Sequence, residues 1–533
     1  MRISHVALFV LAYLVAAVCA LRLDLHGVRK PHSSSRLRPR TRGSELNNTA
    51  DISYYADIKI GGKVYTLLVD TGSSDLWISG RVPNSSRTQF SSAVSYAVGS
   101  VEGPVKTAEV EFAGYKIPDQ AYLEVTPNVE HTEGDGIIGL GPNDGSNIYQ
   151  EMQAVAGAAL VDRIFLQNRT TPNYLTFLLG RSDDPTDFYS GAFSIGEVID
   201  GFENVLKQPK LPVSNVPNHQ LHDQHFQLLL DEDGLIGPDG TAIPVYTEVI
   251  PTTDLKRATV VIDTGFSLPQ VPSAVASAIY SRFAGAQLVN VASVGKIWVL
   301  SCHQEVNITF KFNGRPYPIH PLDATLDPKT IGLSGVTDVT GRPMCIGTFQ
   351  PFSYNRGSNP NYDMVLGMAF LRNVYALIDY GDFIVGSDGR DAPYVQFLST
   401  TDLAEAHTDF VKIRLDGVDT TANQTLVKHH AIQPWMYYVI MTIVGVVIFA
   451  GISFFFICRA KRNDKLAEAS DTSPQQSPAP QMRVSIVPRG PPSYHGHTAL
   501  VPDVLQPPQL YGAHGGAPPP GHVHMPRYYT THD

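Results

Sequence analysis

The sequence predicts a mostly β body of two lobes, followed by one membrane-spanning helix and a disordered tail. Three observations carry that expectation. Between Asp51 and about Thr400 the chain is a succession of short apolar runs broken by Gly, Pro, Asn and Asp, with little helical periodicity. An Asp-Thr-Gly triplet occurs at 70–72 and again at 263–265, each copy closing an apolar run. Residues 435–458 run 24 positions without a charge.

The chain opens with "MRISHVALFVLAYLVAAVCALRL": one Arg, an apolar core, then small residues at Ala17, Cys19 and Ala20. That is the pattern of a secretory signal peptide over 1–20, and its core is short for a spanning helix. Residues 21–50 are basic; the first 50 positions hold eight Lys and Arg against two Asp and Glu. No strand is read there. The segment is expected to be a basic linker or a removable pro-segment.

The body, 51–400, holds 22 basic and 38 acidic residues. That balance argues against nucleic acid as a partner and suits work in acid. A chain of 533 residues has room for two or more folding units. "ADIKIGGKVYTLLVD" shows the β pattern, with Ile58, Ile60, Val64, Leu67 and Val69 around a Gly61-Gly62 turn. "SAVASAIYSRF" (273–283) is the best short helix. The two triplets lie 193 positions apart, and "DGIIGLG" (135–141) and "MVLGMAF" (364–370) echo each other downstream of them. One triplet alone means little; the matched pair indicates duplicated lobes, with a boundary near 200–215.

Of four cysteines, Cys19 lies in the leader and Cys458 ends the second apolar run. Cys302 and Cys345 remain in the body. After export they read as one disulfide, with two buried thiols as the alternative.

Residues 401–434 are expected to be a stalk. Residues 435–458 match the roughly 20 helical positions that a hydrocarbon core about 30 Å thick requires. Trp435, Tyr437 and Tyr438 suit one interface, and Arg459, Lys461, Arg462 and Lys465 follow the run. The positive-inside rule makes this a type I protein with its body outside or lumenal, on the cell surface or an acidic vesicle. Five glycosylation sequons begin at Asn47, Asn84, Asn168, Asn307 and Asn423, all before the apolar run. The tail, 459–533, carries 13 prolines and is expected to be disordered and cytosolic.

With the two triplets and their echoes in view, residues 51–400 resemble a pepsin-like aspartic protease. The resemblance implies a bilobal β fold with a central cleft, with Asp70 and Asp263 as the catalytic pair at its floor. It makes the Thr71 and Thr264 hydroxyls cross-lobe ties, with Gly72, Ser73 and Gly265 as supporting neighbours. "VSYAVGSVEG" (94–103) resembles the flap, which makes Tyr96 and Gly99 substrate-facing and gives Tyr96 the Trp77 indole as partner. Ile137 resembles a wall residue of an apolar pocket, and Cys302 and Cys345 fit the second-lobe disulfide.

The chemistry requires two acids. Carboxyls about 3 Å apart cannot both ionise, so between their apparent pKa values the pair holds one proton. The ionised member takes a proton from a bridging water that attacks the peptide carbonyl, and the protonated member donates to the developing oxyanion. No metal, cofactor or covalent intermediate is needed. The expected activity is acid endopeptidase cleavage of proteins or peptides with apolar residues around the cut. A basic segment over an acidic cleft, with Arg36, Arg38, Arg40 and Arg42, would hold the enzyme latent until acid weakens the attraction.

Two departures stand out. The family usually has a hydroxyl three positions after each Asp; Ser73 supplies the first, but Phe266 stands at the second. The flap reads Tyr96-Ala97-Val98-Gly99, more apolar than usual. Phe266 keeps open a second reading, a catalytically silent ectodomain that binds peptides. A third, a metalloprotease, would use His219, His222 and His225, although such spacing in a polar loop is more often solvated surface. In the tail, Pro491-Pro492-Ser493-Tyr494 either matches by accident or resembles a ligand of WW domains, which would recruit a ubiquitin ligase.

Overall fold

The computed structural model describes residues 21–28, 53–427 apart from short breaks (97–98, 168–171, 182–189, 251–253, 267, 292–294, 332–335, 339 and 385–391), and 442, 446 and 448–454. The signal peptide, Asn47, Asn168, the basic residues 36–42 and the whole tail with Pro491, Pro492 and Tyr494 lie outside the described residues. The chain divides into Met1–Lys428 with His522–Asp533, and His429–Gly521.

The first unit is mostly β. Its largest sheet has thirteen strands and draws on both halves of the chain. Strands Tyr174–Leu179 and Ser190–Ile195, from the end of the first half, pair with each other, and the former also pairs with Val374–Asp379 from the second. Ala376 stands opposite Phe177 there, so the two halves share one backbone ladder. Phe177, Phe193, Phe226, Tyr380 and Phe397 continue that joint as buried core.

The two Asp-Thr-Gly copies sit in matching local folds. In the first half, Lys63–Asp70 runs parallel to Gly136–Gly139, with Leu68 opposite Ile137 and Asp70 opposite Gly139. In the second, Thr259–Ile262 runs parallel to Met364–Leu366, with Ile262 opposite Leu366. Both are wholly buried at their apolar ends, which explains why the sequence there reads as continuous apolar runs rather than alternation. The Gly61-Gly62 turn closes the expected hairpin with Ile60 opposite Lys63; φ values of +58° and +93° there favour glycine.

Two expectations about the flanks are corrected. Residues 21–50 were expected to hold no strand, yet Leu21–Val28 forms one between Ser190–Ile195 and Ser53–Ile60. The sequence signal is the period-two "LRLDL", easily hidden in a basic stretch, and the physical reason is an edge on each side that needs a partner. Residues 401–434 were expected to be a stalk, yet Leu403–Arg414 is the longest described helix of the first unit. Asp402 caps it, its side chain accepting from the Ala404 and Glu405 amides. Phe410 is buried with Leu322 and Leu415. Beyond the helix, Val427 N–H donates to the Arg282 carbonyl at 2.7 Å.

In the second unit, residues 448–454 are helical. Among the described residues no helix is long and apolar enough to cross a membrane; most of 435–458 lies outside them.

Candidate active site

Asp70 ends its strand and Asp263 follows its own by one residue, so each carboxylate emerges where a parallel strand pair gives way to a turn. Both are almost fully buried. They face one another. A Cβ placed on Gly265 would lie 2.3 Å from Asp70 Oδ1 and 3.0 Å from Asp263 Oδ1, so both oxygens fall within 3.0 Å of a single point. A Cβ on Gly72 would likewise lie 2.1 Å from Asp263 Oδ2. Only glycine allows each turn to approach the opposite acid so closely.

The two turns are locked by a reciprocal set of buried hydrogen bonds. Thr71 N–H donates to Thr264 Oγ1 and Thr264 N–H to Thr71 Oγ1, both at 3.0 Å. Each hydroxyl then donates across the joint: Thr71 Oγ1 to the Ile262 carbonyl at 3.3 Å, Thr264 Oγ1 to the Val69 carbonyl at 3.0 Å. Within each turn a glycine amide donates to its own acid, Gly72 to Asp70 Oδ1 at 2.9 Å and Gly265 to Asp263 Oδ1 at 2.6 Å.

The symmetry breaks at the next residue. Ser73 Oγ donates to Asp70 Oδ2 at 2.6 Å. Phe266 has no hydroxyl, and its ring instead stands 6.3 Å from that of Tyr354, whose OH lies 3.1 Å from the OH of Tyr362. Burial raises both phenols, that of Tyr354 well above its usual range.

Above the acids is a cavity of about 720 Å³. Its walls include Leu68, Val94, Ile137, Val261, Phe266 and Val365. Strands Ser86–Ser95 and Ser100–Phe112 form a hairpin over the first half, closed by Tyr96 N–H to the Gly99 carbonyl at 3.0 Å. Residues 97 and 98 at its tip lie outside the described residues. Trp77 Nε1 donates to Tyr96 OH at 2.6 Å, and Trp77 and Ile137 are buried in one cluster against which Tyr96 packs.

The disulfide joins Cys302 to Cys345 and ties the turn after Gly295–Ser301 to the neighbouring strand Met344–Gly347. Asn84, Asn307 and Asn423 are exposed. The three histidines do not converge. His219 and His222 are exposed on the 3-10 segment Asn218–Asp223 and His225 is half-buried; His222 and His225 both line the cavity. Among the described residues no group of His, Cys, Asp and Glu could hold a metal ion.

Sequence reasoning missed two titratable groups here. Asp75 is buried in the cavity wall, where it accepts from Ser146 Oγ at 2.5 Å, Asn147 N–H at 2.9 Å and Ile148 N–H at 3.2 Å. Burial raises its carboxyl in spite of those donors. No local pattern marks it, because its partners come about 70 positions later. His225 was weighed as a metal ligand or, more often for such spacing, a solvated surface residue, and its place in the cavity wall became visible only in three dimensions.

Two facing Asp-Thr-Gly turns at the floor of a cleft define the aspartic peptidase class, and comparison with known proteins assigns this chain to it. The eukaryotic aspartyl protease family model matches residues 53–198 and 223–387, more than half of the chain, and the chain belongs to that family. Major aspartyl peptidase 1 of Cryptococcus neoformans is 24% identical over 363 residues, spanning 63% of this chain and 68% of the relative. Vacuolar protease A of Arthroderma otae is 25% identical over 380 residues, spanning 64% and 79%. The solved aspartic proteinase from Irpex lacteus superimposes with a TM-score of 0.49 at 18% identity, over 66% of this chain and 96% of that one. The protein is a hydrolase with aspartic-type endopeptidase activity.

Proposed function

We propose that Asp70 and Asp263 share one proton and activate a water bound between them, and that the protein cleaves peptide bonds in acid. The observation that supports this best is the convergence of both carboxylate oxygens within 3.0 Å of one point on the cavity floor. At that spacing a second negative charge is costly, so the pair acts as a single acid–base unit. The ionised oxygen removes a proton from the water as its oxygen attacks the scissile carbonyl. The remaining proton is donated to the carbonyl oxygen, and collapse of the tetrahedral intermediate expels the amine. The cross-lobe threonine bonds hold the carboxylates in place without reorganisation during the reaction.

The apolar lining from Leu68, Val94, Ile137 and Phe266 favours substrates with apolar side chains around the cut bond. Tyr96, held by Trp77, and Gly99 close over them. The leader, the sequons and the charge-free run at 435–458 support a type I glycoprotein with its catalytic unit outside the cytosol. Names such as vacuolar protease A and cathepsin E among its relatives favour a secretory or lysosomal route. Residues 21–50 act as the removable pro-segment. Pro491, Pro492 and Tyr494 serve as a WW-domain ligand in the tail, through which a ubiquitin ligase controls residence at the membrane.

The test is hydrolysis of an apolar peptide by the full-length chain at roughly pH 3–6, the window over which such pairs hold one proton. Activity blocked by a statine-type inhibitor and abolished in Asp70→Asn and Asp263→Asn is expected. An inactive wild type that still binds the inhibitor would favour the silent peptide-binding reading, to which Phe266 points.

A further inference from the structure

Four donors converge on the buried carboxyl of Asp75, shortly after Asp70 in the chain. Ser146 Oγ and Ile148 N–H donate to its Oδ1, at 2.5 and 3.2 Å. Asn147 N–H and the Asn147 side-chain Nδ2 donate to its Oδ2, at 2.9 and 3.4 Å. The Ser146 hydroxyl also accepts from Tyr149 N–H at 3.0 Å, so it caps the helix Asn147–Met152 while Asp75 holds it.

The loop that leads to this helix is bonded to the catalytic turn before it reaches Asp75. Leu140 N–H donates to the Asp70 carbonyl and Gly141 N–H to the Ser73 carbonyl, both at 2.7 Å. Ser74 Oγ donates to the Pro142 carbonyl at 2.6 Å. Asp75 ends that series and is the step that reaches the helix. On its far side the helix buries Ile148 in one cluster with Leu68, Val94 and Ile137, three residues that wall the cavity. It also packs against the hairpin strand Ser86–Ser95.

We propose that Asp75 is a positioning residue for substrate selection: it rivets the wall helix to the turn that carries Asp70 and so holds the apolar pocket in register with the reacting acid. The inference rests on the reading above that Leu68, Val94 and Ile137 receive an apolar side chain of the substrate. The physical case is one of acceptor count. An ionised carboxylate accepts on both oxygens and donates nothing, so each oxygen can serve two donors. Asparagine has the same shape but a single acceptor oxygen. Whichever way its amide is turned, its own N–H faces either Asn147 N–H or Ile148 N–H. One buried backbone donor is then unsatisfied, and the start of the helix must shift to find another acceptor. A pocket displaced relative to the acids brings the scissile carbonyl out of line.

The test uses the full-length chain and matched peptides with leucine or alanine at each position flanking the cut. The wild type is expected to prefer leucine at one of those positions. Asp75→Asn should lower kcat/KM for that leucine peptide by about tenfold, the effect of one unsatisfied buried donor, and for its alanine partner by about twofold or less. Ser146→Ala removes one donor and the cap on Tyr149 but leaves both backbone amides on the carboxylate. It should move the leucine-to-alanine ratio the same way by less, which keeps the test decisive if Asp75→Asn folds poorly. An unchanged ratio in both variants would overturn the proposal, because a simple loss of folded protein lowers both peptides equally. A wild type indifferent to leucine and alanine would overturn the pocket reading itself, and this inference with it.

Discussion

The two Asp-Thr-Gly turns of this protein are nearly superimposable in their bonding and diverge one residue later. Both use a threonine to grip the other turn, both donate a glycine amide to their own acid, and both need glycine to let the opposite carboxylate in. After that, the first turn continues with Ser73 on Asp70, while the second continues with Phe266 against Tyr354. The lesson concerns which parts of a duplicated site must stay equivalent. The backbone frame has to be the same twice because each turn is the other's partner. The hydroxyl three positions on touches only its own carboxylate, so it can be lost from one side and alter the poise of the pair rather than its assembly.

The largest expected effect comes from the shared frame. Gly72→Ala and Gly265→Ala would each drive a Cβ into the opposite carboxylate, at 2.1 Å and 2.3 Å respectively. Displacing a reacting group by an ångström costs about a hundredfold, so kcat/KM should fall at least that far in both, with a cooperative melt retained. A large difference between the two would break the equivalence.

A stability difference between the halves is next. Among the described residues only the second half contains a disulfide, Cys302–Cys345, which closes a 43-residue separation. Replacing both cysteines by serine should destabilise that half by about 2–4 kcal/mol, read by calorimetry or by limited proteolysis confined to residues after about 220. Equal loosening of both halves would mean that they unfold as one body.

Phe266→Thr restores the missing hydroxyl. A donor to a carboxylate favours its charged form, so the acid limb of kcat/KM should move to lower pH, and Ser73→Ala should move it the other way. Identical profiles would show that the asymmetry at these positions has no bearing on the chemistry.

The smallest effect concerns the C-terminal helix docked beside the second half, which has no counterpart among the described residues of the first. His407 Nδ1 lies 3.1 Å from Glu305 and its Nε2 lies 3.5 Å from Asp419. The Glu305 bond above all raises the imidazole over its usual value of about 6.5, with burial opposing and Asp419 adding to the rise. A raised folded value means that the contribution is complete below about pH 6.5 and is lost as the pH climbs through the folded value. Helix docking, followed by amide exchange over 403–414, should be tighter in acid, and His407→Gln should flatten that dependence. The change will be small, because the side chain is 39% exposed.

Much of the site was legible because its chemistry is local. An apolar run ending in Asp-Thr-Gly needs no distant information to be read as a buried strand that delivers an acid, and finding it twice implies a meeting place. The pairing of Trp77 with Tyr96 was implied only by the resemblance to pepsin-like proteases, and the structure shows the bond. What escaped was either masked by composition or assembled from afar. The strand Leu21–Val28 has a clear two-residue alternation that its basic surroundings concealed. The helix Leu403–Arg414 has an Asp402 cap and a charged last turn, but its apolar stripe is thin and its reason to fold is the surface formed by Leu322. Asp75 gains its surroundings from residues about 70 positions away.

The order of residues alone was enough to require two β lobes and two acids, since period and repetition are properties of short windows. It could not say how near those acids come, or that the terminal segment docks rather than dangles. Those outcomes depend on where separate strands end once they are packed. Charge, donor and void act over a few ångströms, and only the folded chain brings groups remote along it within that range.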